Sequence, residues 1–164
     1  MIFETDRLLV RKLNFRDLDS FHKMESNPKV LRYAEGNAKS LKENTVELGA
    51  LIKKYDIEDN NFWIYGIERK IDSNFIGTLA LIKDNLENEI GYRFIEEFWG
   101  NGYGLEICKA TIEYCKSKEV KHLLAYVVEK NIASIKILKK CNFKLISSFI
   151  NDENDLGQKY LLKL

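Results

Sequence analysis

Apolar positions along the chain change period several times, and each change marks an element. Residues 7–13 (RLLVRKL) carry the β-branched and leucine-rich pattern of a strand. Asn14 then stands as a helix N-cap with Asp17 three positions on, and Phe15, Leu18, Phe21 and Met24 recur at helical spacing, which predicts a helix over 15–26. Asn27 and Pro28 end it. Ser40-Leu41-Lys42-Glu43 is a capping box, and Leu41, Thr45, Leu48, Ile52 and Tyr55 form a second helical stripe. The middle shifts to strands: 62–68 (FWIYGIE), 75–82 (FIGTLALI) and 89–95 (EIGYRFI) are rich in aromatic and β-branched residues. Polar turns separate them, at 69–74 and 84–88, so they read as an antiparallel meander.

The second half alternates. A glycine-rich loop at 100–104 opens a helix running to about Ser117, with Leu105, Cys108, Ile112 and Cys115 on one stripe. Residues 120–128 are a strand in which LLAYVV suggests burial on both faces. A helix over 131–141 ends near Asn142, a residue that tolerates the left-handed C′ position. Residues 143–150 and 158–164 complete the strands. The order β-α-α-β-β-β-α-β-α-β-β predicts an α/β chain with a mixed, mostly antiparallel sheet and helices on its faces.

At 164 residues the chain is expected to form one domain, 1–164, with no linker and no repeat. Lys+Arg is 26 and Asp+Glu is 25, so the net charge of +1 gives no support for a nucleic-acid or membrane binder. The first residues interleave acids and bases with apolar positions, unlike a signal peptide. Cys108, Cys115 and Cys141 include no CxxC pair and suit reduced thiols in a cytoplasmic protein; with only His22 and His122 besides, no metal site is expected.

Chemistry concentrates in residues 89–115. Strand, loop, Gly100-x-Gly102-x-Gly104 and helix follow in that order. A helix N-terminus offers unpaired N–H groups and the positive end of a dipole, and glycines let a phosphate approach that backbone. The same run also suits a helix start that needs unusual backbone angles. It is neither a Walker loop, lacking GK[ST], nor the dinucleotide fingerprint, whose third glycine would fall on Leu105 or Ile107.

Trp99-Gly-Asn-Gly-Tyr-Gly104 resembles the Q/R-x-x-G-x-G/A signature of the GCN5-related N-acetyltransferases (GNAT). Gly91-Tyr92, Leu105-Glu106 and the opening ETDRLLVRKL resemble the ribosomal-protein N-terminal acetyltransferase branch. Asn131-Ile-Ala-Ser134 followed by Leu138-Lys-Lys-Cys-Asn142-Phe143 is similar to the family's second signature. Three positions depart from it: Trp99 stands at the Q/R position, Asn142 replaces a glycine, and Leu138 stands where many members carry a tyrosine acid.

The resemblance implies a GNAT-like fold and an acetyl-CoA-dependent N-acetyltransferase, with no metal. It implies that the diphosphate sits on amides of Trp99, Gly100, Asn101, Gly102, Tyr103, Gly104 and Leu105. The pantetheine arm would exchange backbone hydrogen bonds near Phe94 and Ile95, on a strand splayed from its parallel neighbour, and Asn131 would bind the arm. Transfer to an amine needs a proton acceptor and a donor to the leaving thiolate. Ser134, one turn after Asn131, is the candidate donor, although a helical serine also bonds to backbone carbonyls. Glu89 is the candidate that orients or deprotonates the amine, and Glu68 a weaker one; each also suits a solvated strand carboxylate. The acceptor implied is a primary amine, on a protein N-terminus or a small molecule, and a homodimer is compatible with the chain. A catalytically silent acyl-CoA sensor of the same fold, and a domain that uses the 100–104 loop for another phosphate, are the competing functions.

Overall fold

The computed structural model describes residues 1–34, 37–84 and 87–164, with the side chain of Asp84 left aside. Eight strands form one sheet in the order β1-β2-β3-β4-β5-β6-β8-β7. They are β1 (Phe3–Glu4), β2 (Leu8–Lys12), β3 (Phe62–Arg69), β4 (Asn74–Asp84), β5 (Glu87–Phe94), β6 (His122–Val128), β7 (Lys144–Ile150) and β8 (Leu156–Lys163). Helices α1 (Leu18–Glu25), α2 (Leu41–Lys53), α3 (Tyr103–Ser117) and α4 (Ile132–Lys140) complete the order. All neighbouring strands run antiparallel except β5 and β6. The expected mixed sheet with helices on both faces is therefore present, with one short strand, β1, that sequence periodicity is too brief to show.

Local signals explain the helices. Asn14 and Asp17 form a reciprocal capping box, but over a 3-10 turn at Phe15–Asp17 that precedes α1. Ser40 and Glu43 form the box that starts α2. Helix α4 ends in a Schellman motif: Phe143 N–H donates to Leu138 O, Asn142 N–H donates to Lys139 O, and Asn142 sits at φ 65°.

The strands β4 and β5 reach further toward each other than the expected turn at 84–88 allowed, pairing Asp84 with Glu87; residues 85 and 86 lie outside the described ones. Burial on both faces of β6 holds for Leu123, Leu124, Ala125 and Val127 but fails at Tyr126, which is 40% exposed and lies against Phe149 of β7 and Lys159 of β8.

The two sides of the sheet are identified by adjacent residues of β5. Arg93 reaches Glu25 of α1 at 2.6 Å, whereas Tyr92 reaches Ser134 of α4. Consecutive strand residues point to opposite faces, so α1 lies on one side and α4 on the other. Leu8, Val10, Phe21, Met24, Leu48 and Ile67 are among the residues of the main core, and Ile90, Cys108, Cys115, Leu123 and Leu138 among those of a second core beneath α3 and α4.

Beside the main core sits a partly buried charge network. Arg11 donates through both terminal nitrogens to Asp17, at 2.8 and 2.9 Å, and through Nε to Glu68 at 2.6 Å. Asp17 also accepts from the Asn14 N–H. Removing one member leaves the others desolvated without compensation. Asp17→Asn is expected to lower the unfolding free energy by roughly 3 kcal/mol, read from the midpoint of a urea titration at constant m-value.

Candidate active site

The two parallel strands β5 and β6 share a single ladder pair, Glu89 with Leu124. Each is fully paired on its other side, β5 with β4 and β6 with β8. Beyond Glu89 the two therefore diverge. In β5, Ile95 N–H donates to Ile76 O of β4, and ladder groups alternate direction along an antiparallel strand. Residues 91, 93 and 95 thus turn their main chain to β4, while Tyr92 and Phe94 turn theirs into the opening. Ile95 also accepts from Phe98 N–H. Both main-chain groups of Ile95 are thus engaged within the fold, whereas the Tyr92 main chain and the Phe94 N–H face the opening. From Phe94 to the apex at Glu89 the strand spans five residues, about 16 Å at the usual rise, a length suited to an extended pantetheine arm.

At the wide end of the opening the chain leaves β5 through a 3-10 turn, Glu96–Phe98, and reaches the glycine loop. Gly100 and Gly102 adopt φ of 77° and 80°, where a Cβ is strained. A Cβ at Gly100 would meet nothing within 4 Å, so the space above it is open. Gly102 is the N-cap of α3 and supplies no side-chain acceptor; the first helical bond is Glu106 N–H to Gly102 O. The N–H groups of Tyr103, Gly104 and Leu105 are left without helical partners. A loop that presents amides, open space and a helix dipole fits the diphosphate of a CoA ligand.

Gly104 has a different reason for its size: a Cβ there would approach Ile137 Cδ1 of α4 to 2.8 Å, so it allows α3 and α4 to pack closely. Trp99 and Asn101 brace the loop with their side chains. The Trp99 indole Nε1 donates to Phe94 O at 2.9 Å, and Asn101 Nδ2 donates to Phe98 O and Trp99 O.

One part of the site escapes sequence reasoning. Glu106, in the first turn of α3, accepts from Thr5 Oγ1 at 2.5 Å, from Arg7 Nε at 2.7 Å and from Arg7 N–H at 3.3 Å. Arg7 Nη1 donates to Asn101 O, and its guanidinium lies 4.6 Å from the centre of the Tyr103 ring. The opening ETDR and the loop motif YGLE, a hundred positions apart, are two halves of one clamp. Both halves were visible as resemblances, but spacing carries no sign that they meet.

The other wall is the start of α4. Asn131 is its N-cap, its Oδ1 accepting from Ser134 N–H at 3.2 Å, which leaves its Nδ2 group to donate to a ligand. The Ser134 hydroxyl is 3.5 Å from the Tyr92 hydroxyl, bridging helix and strand rather than bonding to a helix carbonyl. Burial pushes the Tyr92 phenol above its ordinary pKa, so it stays protonated. Tyr92 is a second site residue that the sequence named only as part of a motif.

Glu89 stands at the apex on the face shared with Arg93, opposite Tyr92 and Ser134. The structure thus puts Ser134 and Glu89 on opposite sides of the wedge. Glu68 is removed from this constellation, since Arg11 holds it two strands away. The three cysteines are buried and unbridged, and burial pushes the Cys108 and Cys115 thiols up, against a nucleophilic role. Trp63 and Tyr65 of β3 stack with Tyr55, which sits in the 3-10 turn after α2. Tyr33 lies under Arg32 on a 3-10 turn; of the loop 27–39 around it, residues 35 and 36 lie outside the described ones.

A splayed parallel pair capped by a glycine loop defines an acyl-CoA transferase class of site. The comparisons agree. Residues 7–144 match the acetyltransferase (GNAT) domain, and the chain belongs to that family. It is 31% identical over 148 residues to the uncharacterized N-acetyltransferase YoaA of Bacillus subtilis, covering 87% of this chain and 82% of that one. The fold is shared with ribosomal L7/L12 alpha-N-protein acetyltransferase RimL in complex with coenzyme A, at TM-score 0.85 and 16% identity over 99% and 97% of the two chains. It is shared with spermidine N-acetyltransferase from Vibrio cholerae in complex with CoA and spermine, at TM-score 0.79 and 21% identity over 97% and 96%. Acetyl-CoA-dependent N-acetylation is accordingly the general activity of this chain. Among the described residues no helix is long and apolar enough to cross a membrane.

The clamp has a pH signature. Burial opposes the charge on Glu106, but Thr5 and Arg7 outweigh it and hold its carboxyl below the ordinary range. A pKa lower in the folded than in the unfolded state adds stability above the unfolded value of about 4.3 and loses it as pH falls through the folded one. Glu106→Gln is therefore expected to destabilise the protein at pH 7, with the difference from wild type narrowing as pH drops below 4 in denaturant titrations.

Proposed function

We propose that this chain transfers the acetyl group of acetyl-CoA directly to a primary amine, on a protein N-terminus or a small molecule. The observation that carries the proposal is the single β5–β6 pair, with the Tyr92 main chain and the Phe94 N–H turned into the opening and the uncapped start of α3 at its wide end. Backbone groups that find no ladder partner must be satisfied elsewhere, and an amide-bearing arm meets that need.

Acetyl-CoA supplies the activated acyl group as a thioester, in which the amine nitrogen forms a C–N bond and the C–S bond breaks. The amides of Gly100 to Leu105 hold the diphosphate, and Asn131 Nδ2 donates to the arm. A main-chain N–H of Tyr92 or Phe94 polarises the acetyl carbonyl. Ser134 Oγ donates a proton to the sulfur as it leaves and recovers one from water, while the protonated Tyr92 hydroxyl orients it. Glu89, on the other face, takes the proton of the amine through water. The placement of Ser134 beside Tyr92 on one face of β5 and of Glu89 on the other supports this division of roles.

Acetyl-CoA is expected to raise the melting temperature of the purified protein, whereas ATP or NAD at the same concentration is not. Gly100→Asn and Gly100→Asp impose the same backbone strain but differ in charge, so Asp is expected to weaken CoA binding far more than Asn. Equal losses in the two variants would remove the diphosphate from this loop. Ser134→Ala is expected to lower kcat by roughly 100-fold or more with little change in the acetyl-CoA KM. A chain that binds acetyl-CoA but acetylates no amine of a broad panel is instead a sensor.

A further inference from the structure

The glycine that opens α3 permits a backbone choice that it does not itself settle. Gly102 stands at φ 80°. The peptide joining Asn101 to it can turn over by opposite rotations on its two sides, since a residue without Cβ takes φ of either sign. This peptide is planar and trans, so the Asn101 carbonyl and the Gly102 N–H point in opposite directions. Turning it over puts a carbonyl oxygen where a donor had been. For an anion in front of the loop, one orientation attracts and the other repels.

Asn101 is held on both sides of that choice. Its Nδ2 donates to Phe98 O at 3.1 Å and to Trp99 O at 3.0 Å, which ties its side chain to the preceding turn. Its main-chain oxygen accepts from Arg7 Nη1 at 3.1 Å. Arg7 is aimed in turn by Glu106, whose Oε2 accepts from Nε at 2.7 Å and from Nη2 at 2.5 Å. A Cβ at Gly102 would lie 3.6 Å from Arg7 Nη2, so the guanidinium sits directly against this peptide. The Gly102 N–H points away from the bond between Asn101 O and Arg7, and among the described residues it has no hydrogen-bond partner.

We infer that Arg7 is a positioning residue for the cosubstrate: by holding the Asn101 carbonyl it keeps the Gly102 N–H turned toward the diphosphate. The inference rests on the proposed seat of the diphosphate on this loop. The task requires the planar fork of arginine, which engages a carboxylate along one edge and leaves Nη1 for the carbonyl. A lysine would keep the positive charge but not this geometry. Attraction by charge alone and positioning through the peptide therefore predict different behaviour for Arg7→Lys.

Asn101–Gly102 is the one Asn–Gly step in the sequence, so isotopic labelling of asparagine carbonyl carbon and glycine nitrogen isolates its amide as a single NMR signal of the full chain. CoA is expected to shift that signal. In ligand-free Arg7→Lys the signal is expected to move or split, while those of Gly66 and Gly77 inside the sheet stay in place. The same variant is expected to raise the CoA Kd about tenfold, the loss of one hydrogen bond to a charged group, and the acetyl-CoA KM with it, at unchanged kcat. Wild-type CoA affinity in Arg7→Lys overturns the inference, as does a loss confined to kcat. A Gly102 signal that bound CoA leaves in place while Gly100 and Gly104 respond also overturns it. If none of the three responds to bound CoA, the seat of the diphosphate falls as well.

Discussion

Everything around the site follows from one constraint: among the described residues strands β5 and β6 are the only parallel neighbours, and they hold on to each other at one point. A parallel pair needs a crossover, and here α3 supplies it. Its first turn therefore lies at the end of β5, beside the opening that the divergence creates. The helix that joins the strands is also the helix whose N-terminus faces their gap. Connectivity alone brings an anion-binding end and unpaired backbone groups together.

The opening persists because each strand is held firmly from outside. The β4–β5 ladder runs from Gly77–Phe94 to Asp84–Glu87, and the β6–β8 ladder from His122–Lys163 to Val128–Gly157. Neither strand gains by swinging inward, since that would break an outer ladder to build an inner one. Contacts between the two sides keep them at a set distance, Tyr92 against Ser134 and Gly104 against Ile137, and the Trp99 indole on the Phe94 carbonyl braces the end of β5. Arg93 on Glu25 fixes the opposite face to α1. The site is thus a gap built between rigid supports.

Much of this was legible in the sequence because its signals are local. The capping boxes at Asn14 and Ser40, the period-two strands and the left-handed Asn142 each depend on a few neighbouring residues, and all appear where local chemistry places them. The two motif segments likewise point to the loop and to Asn131 with Ser134. What was illegible depends on pairing across the fold. Main-chain direction at Ile95 is settled by its partner Ile76, the half-exposed Tyr126 meets Phe149 of β7 edge-on, and the meeting of Thr5, Arg7 and Glu106 is a contact over about a hundred residues. Gly104 shows how one residue can satisfy a motif for another reason, since its missing Cβ makes room for α4.

That long-range clamp also bears on how the molecule is made. A ribosome releases Thr5 and Arg7 long before Glu106 emerges, and α4, which supplies Ile137, comes later still. The nascent chain consequently carries Thr5, Arg7 and its β2–β4 region before their partner Glu106 exists. Competence for the cosubstrate waits until α3 and then α4 have emerged, when head and middle of the polypeptide lock together.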